Sequence, residues 1–283
     1  MKGAIVARRP PRTKPPFDLA GLPPELAALM AQSMSSRTGE AVDAAQELMF
    51  EAWDADDRPT RVALAHKALA VSADCADAYL LLAQEEATTL DEAVALLCEG
   101  VAAGERALGP AAFRDDAGDF WGLIDTRPYM RTRLALAQAL WEIGRPDEAA
   151  GHASELLRLN PDDNQGVRYL LVKWLLVLGR DAEAAGLLKR YRDDEDGQWA
   201  WPAALAAFRR SGDKPAARKA LAAAVAANRF VAPYLTERRK RPKAMPPYYS
   251  PGDQAEAAIY LDAGGADAWA ATPGALAWLR ARA

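Results

Sequence analysis

The feature that most constrains this chain is an internal repeat. Residues 144–151 read Gly-Arg-Pro-Asp-Glu-Ala-Ala-Gly, and residues 179–186, at an offset of 35, read Gly-Arg-Asp-Ala-Glu-Ala-Ala-Gly. A weaker third copy begins at Gly212. A glycine that ends one helix in the left-handed conformation, followed by Pro or Asp at the start of the next helix, is typical of a tight helix–turn–helix. The repeat therefore predicts a stack of helix pairs.

The spacing and the placement of small residues resemble the tetratricopeptide repeat. With Gly144 as the turn glycine, Ala137 and Ala149 fall where the two helices of a pair approach most closely, and Leu136 and Leu140 fill the space between them. The abundance of alanine and the scarcity of Val, Ile and Thr also favour helices over strands. The resemblance implies an all-α fold, a right-handed α-solenoid of about five helical pairs with a C-terminal capping helix region.

Breaks in the repeat pattern divide the chain into segments. These are a basic, Pro-rich disordered tail (1–20), the solenoid (21–232) with an insertion (109–128), a basic, Pro-rich linker (233–252) and a helical cap (253–283). We expect Trp269, Leu276 and Trp278 of the cap to cover the end of the stack. In the insertion, Phe120 and Trp121 are expected to fill the groove between adjacent repeats. The alternative is that the insertion is itself a functional loop.

A second resemblance covers residues 43–190. Residues 85–89 read Glu-Glu-Ala-Thr-Thr, a late Ala-Gly-Glu follows at 103–105, and residues 131–135 read Arg-Thr-Arg-Leu-Ala. This pattern is similar to that of the suppressor-of-tumorigenicity-seven family. The resemblance implies no enzymatic activity, no cofactor and no defined ligand. The membrane segments of the eukaryotic members have no counterpart in this sequence.

Side chains that could carry out chemistry are few. Cys75 and Cys98 stand in no catalytic motif, and we expect them to be inert thiols on the apolar sides of their helices. His66 and His152 are expected to be packed or surface histidines. The sequence has no phosphate-binding glycine loop and no zinc or calcium ligand spacing. We therefore predict no catalytic residue, no metal and no cofactor, with an enzyme whose site lies in the insertion as the alternative.

The first helices of tetratricopeptide pairs line a concave groove that binds partners. The frame places eight candidate partner-binding residues in this groove: Arg131, Gln138, Trp141, Tyr169, Lys173, Trp199, Arg209 and Arg210. Arginine and aromatic side chains often anchor protein partners. A basic ladder of Arg131, Lys173 and Arg209 predicts an extended or helical partner segment with acidic character. The alternative is that the aromatic residues pack between repeats and the basic residues are ordinary surface charges.

We expect the groove cations to be exposed. Reversing the charges of Arg131 and Lys173 should then leave stability nearly unchanged, because exposed charges contribute little. The sequence thus predicts a non-enzymatic scaffold or adaptor that binds a segment of another protein.

The overall charge bears on the alternative partners. A formal net charge of −4 makes nucleic acid an unlikely partner, since phosphate binding needs a basic surface. The alternative is an RNA- or nucleoprotein-associated factor that uses the basic tail and the cluster at residues 238–243. No run approaches the roughly 20 apolar residues of a membrane span, and no secretory signal follows the basic start. Together with unpaired cysteines, these features predict a cytoplasmic protein, and the composition is typical of GC-rich bacterial coding.

Overall fold

The computed structural model describes residues 38–242 and 248–283, and all of their regular secondary structure is helical. The predicted tail (1–20) lies outside the described residues. The first ten helices are α1 (Glu40–Asp54), α2 (Arg58–Val71), α3 (Ala76–Glu85), α4 (Leu90–Asp115), α5 (Arg127–Glu142), α6 (Pro146–Leu159), α7 (Val167–Val177), α8 (Asp181–Arg190), α9 (Gly197–Ser211) and α10 (Pro215–Ala227). The last four are α11 (Val231–Leu235), α12 (Gln254–Tyr260), α13 (Ala266–Ala270) and α14 (Ala275–Arg282). The all-α prediction is confirmed.

In the part of the chain that the structure describes, helices α1 to α10 pack as five consecutive pairs, from α1 with α2 to α9 with α10. First helices also contact first helices of neighbouring pairs, as α3 does with α5 and α7 with α9. The ring centroids of Trp141 and Trp174 lie 4.8 Å apart with nearly parallel planes, and this stack connects α5 to α7. This succession of pairs is compatible with the predicted solenoid. We call the surface formed by α1, α3, α5, α7 and α9 the A-helix face.

The repeat turns have the predicted geometry. Gly144 and Gly179 adopt φ values of +78° and +70°, which side chains with a Cβ rarely adopt. Each glycine closes a first helix so that the second can return along it. The alanines after the turns, Ala149 and Ala184, are completely buried in the core. The close approach of paired helices therefore occurs where the frame places it.

The insertion is more helical than the sequence predicts. Helix α4 continues to Asp115, with a break at Gly109 (φ 70°, ψ 162°) next to Pro110. The backbone N–H groups of Gly118 and Phe120 donate to the carbonyl of Leu159 at the end of α6. Phe120 is completely buried, as the packing interpretation predicts, and its ring centroid lies 5.2 Å from that of Phe113. Trp121 is only half-buried.

The C-terminal helices lie on the A-helix face. We call residues 254–282, which span α12 to α14, the C-terminal segment. Its helices pack on α9, and its π-helical turn (Leu261–Gly265) and α13 reach back to α7. The ring of Trp269 packs edge-on against that of Trp201, with 5.9 Å between the ring centroids. The ring of Trp278 stacks on that of Phe208, with 4.5 Å between the centroids. These contacts place Trp269 and Trp278 on the last pair, where the sequence predicts the cap, and the segment extends further, back to α7.

The contact with α7 is made through a turn of small residues in the segment. A Cβ at Gly264 would lie 3.9 Å from both Trp141 and Lys173, an ordinary van der Waals distance, so the turn lies directly against α5 and α7. Gly264 also adopts φ +100°. The predicted helical cap (253–283) is interrupted between α13 and α14, where Gly274 follows Pro273 with φ +77°. Within residues 38–242 and 248–283, no helix is both long enough and apolar enough to cross a bilayer.

Candidate functional site

The eight candidate residues are not equally accessible. Gln138 and Arg210 are exposed, whereas Arg131, Trp141, Tyr169 and Arg209 are half-buried, and Lys173 and Trp199 are buried. The expectation of an exposed basic ladder is therefore wrong for Lys173 and Arg209. Both contact the C-terminal segment, which the sequence frame did not place on this face.

Arg131 lies at the junction of the first three pairs. Its guanidinium binds both carboxylate oxygens of Asp77, which is completely buried at the start of α3. The carboxylate also accepts a bond from Gln46 Nε2 at 2.9 Å, and the guanidinium lies 5.1 Å from the ring centre of Trp53. The Arg131 side chain is 33% exposed. The main role of Arg131 is therefore structural, and only the exposed edge of its guanidinium is available to a partner.

Lys173 is enclosed between the solenoid and the C-terminal segment. It is 1% exposed, and its Nζ donates to Gln198 Oε1 at 3.2 Å. The ring of Tyr260 lies 5.6 Å from the same nitrogen. Burial disfavours the charged form and lowers the pKa of Lys173 to about 7. The position that the repeat frame predicts as a groove cation is thus covered by the chain itself.

Arg209 joins the last solenoid pair to the C-terminal segment. Its Nη1 donates to the Leu176 carbonyl at 2.7 Å and to Asp181 Oδ1 at 2.8 Å. Its Nε donates to Thr272 Oγ1 at 2.7 Å and its Nη2 to the Ala268 carbonyl at 3.1 Å. All three guanidinium nitrogens are therefore used within the chain.

The aromatic candidates pack between pairs. The Tyr169 hydroxyl donates to Asp194 Oδ2 at 2.9 Å and accepts from Arg168 Nη2 at 2.7 Å. The ring of Trp199, 3% exposed, meets the rings of Tyr169 and Tyr191 edge-on. The alternative of inter-repeat packing thus describes the geometry of Tyr169, Trp199 and the stacked Trp141.

A buried carboxyl pair was missed by sequence reasoning. Glu256 of α12 is completely buried, and its Oε2 accepts from Asn228 Nδ2 at 2.6 Å and from the Gly252 N–H at 2.7 Å. Its Oε1 has no donor. Burial, together with the nearby Asp196 carboxyl, raises the pKa of Glu256 to about 7. Only the packing of α12 against α9 brings these two carboxyls together.

The candidate nucleophiles and bases are spread over the structure. Cys75 is buried before α3, where burial raises its pKa to about 12, while Cys98 is exposed, contrary to the expected apolar position. His66 is exposed, and its Nε2 lies 2.9 Å from Glu86 Oε2. His152 is half-buried with its Nδ1 unpaired, and burial lowers its pKa to about 4. Among the described residues, no three His, Cys, Asp or Glu side chains are grouped to hold a metal ion.

The basic cluster at 238–243 is largely engaged within the chain. Arg238 donates to the carbonyls of Arg280 and Ala283, and Arg241 pairs with Asp262. Arg239 lies over the ring of Phe230. Lys243 lies outside the described residues. The cluster thus has fewer free cations for phosphate than its sequence indicates.

One stretch of the A-helix face is left open by the C-terminal segment. Gln138 occupies the same repeat position on α5 as Lys173 does on α7, and it is exposed. Gln84 at the end of α3 is also exposed, and Leu134 is half-buried one turn from Gln138. We call this accessible stretch of α3 and α5, which carries Gln84, Arg131, Leu134 and Gln138, the open groove.

Comparison with known proteins identifies the family. The profile of the ST7 protein family matches residues 25–194. The chain is 30% identical over 150 residues to the suppressor of tumorigenicity 7 protein-like of Bos taurus. This alignment covers 52% of the present chain and 27% of the bovine protein. It is 28% identical over 173 residues to the protein ST7 homolog of Drosophila melanogaster, covering 59% of this chain and 32% of that protein.

These alignments span less than a third of each relative's length. No solved structure matches the chain. The profile covers more than half of the chain, including α1 to α8. The chain therefore belongs to the ST7 protein family.

Proposed function

We propose that the chain is a non-enzymatic scaffold that binds a segment of another protein along the A-helix face. Binding occurs in the open groove, next to the C-terminal segment. The partner segment is extended or helical, and no cofactor takes part. We propose that binding takes place in the cytoplasm, where thiols such as those of Cys75 and Cys98 stay reduced.

The observation that supports the proposal most is the position of the C-terminal segment. It is a run of short helices that lies on first helices of the array, and it contacts Trp141, Lys173 and Arg209. The chain itself thus provides an example of a helical segment bound to this face. A partner segment in the open groove would extend the same mode of packing toward α3.

The open groove has the composition of a small interaction surface. Leu134 offers a partly exposed apolar side chain, and the amides of Gln84 and Gln138 can both donate and accept hydrogen bonds. Arg131 adds the exposed edge of a guanidinium whose position is fixed by Asp77. Apolar contact surrounded by oriented polar groups is typical of segment-binding grooves.

The experiment is quantitative capture from a lysate of the source cells with immobilised chain. Gln138→Trp fills the open groove from an exposed position, so it should not disturb the fold. The matched control is Ala185→Trp, exposed on the second helix of a pair. We expect Gln138→Trp to reduce capture of the main partner about tenfold, a change of about 1.4 kcal/mol. Equal capture by both variants would contradict the proposal.

A further inference from the structure

The C-terminal segment is poorly matched in charge to the surface that it covers. Above Lys173 it places the ring of Tyr260, and the ammonium nitrogen keeps one hydrogen bond, to Gln198 of the solenoid. A lysine ammonium has three donors and is strongly hydrated when free. The segment therefore removes water from this cation without replacing it by a carboxylate.

The acidic residues of the segment point elsewhere. Asp262 pairs with Arg241, Asp267 is exposed, and Glu256 is held by Asn228 and Gly252. In the described part of the chain, no carboxylate of the segment forms an ion pair with Lys173.

A second mismatch lies at the start of the segment. The buried carboxyl of Glu256 lies against the backbone at Gly197, where an added Cβ would be 2.9 Å from its Oε2. The neighbouring residue, Asp196, caps α9 by accepting from the Gln198 N–H at 2.8 Å. Two carboxyls this close cannot both ionise without repulsion. The segment thus brings an acid close to an acid, and it gives the dehydrated lysine only the ring of Tyr260 in place of a carboxylate. Its aromatic contacts, including the one to Lys173, favour docking, whereas the loss of water from these charged groups opposes it.

We propose that the C-terminal segment is an autoinhibitory occupant of the A-helix face, and that an acidic segment of a partner protein displaces it to reach Lys173. This inference rests on the proposed function and adds its regulation. An acidic side chain in place of Tyr260 would give Lys173 the charge-assisted bond that the closed form lacks. Displacement would join the surface around Lys173 and Trp141 to the open groove and lengthen the binding site.

A single glycine offers a way to loosen the segment without altering the surface beneath it. A Cβ at Gly265 would lie 2.5 Å from the carbonyl oxygen of Tyr260 and 2.7 Å from its Cζ, so Gly265→Ala disturbs the turn from within the segment. The matched control is Gly151→Ala on α6, where an added Cβ meets nothing within 4 Å. A second loosening variant is Trp278→Ala, which removes the stack on Phe208.

The experiment uses the full chain in two steps. Hydrogen exchange of residues 254–282 measures opening of the segment, with α3 to α6 as the internal reference for an intact solenoid. Fluorescence anisotropy then measures binding of a synthetic helical peptide of about 20 residues, about 30 Å long, that carries regularly spaced Glu and one Trp. A peptide with Gln in place of Glu is the control for charge.

We expect Gly265→Ala to increase exchange in the segment and to raise affinity for the Glu peptide about tenfold over Gly151→Ala, with no gain for the Gln peptide. Adding Lys173→Met should abolish the gain. If Gly265→Ala opens the segment and affinity does not rise, the proposal is wrong. It is also wrong if neither Gly265→Ala nor Trp278→Ala opens the segment, because the segment is then a permanent part of the core. A failure of the proposed function is distinguished by the capture experiment, in which Gln138→Trp and its control Ala185→Trp would then capture equal amounts of partner.

Discussion

Replacing Arg131 by Met should destabilise the array, because it leaves a buried carboxylate without its cation. Asp77 is completely buried, whereas the Arg131 side chain is 33% exposed. Breaking a fully buried ion pair typically costs about 3–5 kcal/mol. Here the bond from Gln46 remains and water reaches one side of the guanidinium. We therefore expect a loss of about 2–3 kcal/mol in the free energy of unfolding.

The assay is urea denaturation followed by circular dichroism. Its matched control is Arg114→Met, since Arg114 binds Asp115 with two bonds in a pair that is 71% and 58% exposed. Such surface pairs contribute about 0–1 kcal/mol. If Arg131→Met and Arg114→Met lose the same free energy of unfolding, the structural role of the Arg131 pair is refuted. The earlier expectation that charge reversal at Arg131 leaves stability unchanged is replaced by this one.

Three further predictions concern packing and protonation. Ala149→Leu should cost about 1–3 kcal/mol in urea denaturation, because the side chain enters a fully buried contact between paired helices. Gly100→Ala should destabilise the chain in the same assay, since its Cβ would lie 2.7 Å from a Thr132 methyl, whereas the unobstructed Gly186→Ala should stabilise it by up to about 1 kcal/mol. Folding raises the pKa of Glu256 to about 7, so the protonated carboxyl stabilises the fold at low pH, and this contribution is lost as the pH rises through about 7. Gln cannot ionise. The free energy of unfolding of Glu256→Gln, relative to the unmodified chain, should therefore increase by about 2 kcal/mol between about pH 5 and about pH 8, measured by urea denaturation at each pH.

Local sequence signals predicted the helix pairs correctly. Turn glycines such as Gly144, with φ +78°, and contact alanines such as Ala149 depend on neighbours within one pair, so a single repeat frame is enough to place them. The same frame selected Trp141, Lys173 and Arg209 as residues of one surface. All three lie beneath the C-terminal segment, so the structure places them on one surface that the chain itself covers.

The cover itself could not be predicted from the repeat. Docking of the C-terminal segment depends on contacts between distant parts of the chain, such as Lys173 with Tyr260 and Trp201 with Trp269. One signal was available, because Gly264, Gly265 and Trp269 combine a close-approach turn with a large apolar side chain, as a segment that packs on another surface requires. The carboxyl pair of Asp196 and Glu256 had no such signal, since neither residue lies in a motif.

We propose above that a partner segment binds along the open groove of the A-helix face. Site-specific photo-cross-linking detects such binding, with benzoylphenylalanine in place of Gln138 on α5 or, as the control, in place of Ala185 on α8. Both positions are exposed, so the probe reaches solvent equally in the two proteins. We expect a partner adduct from position 138 and none from position 185. An adduct from position 185 alone, or equal adducts from both positions, would contradict it.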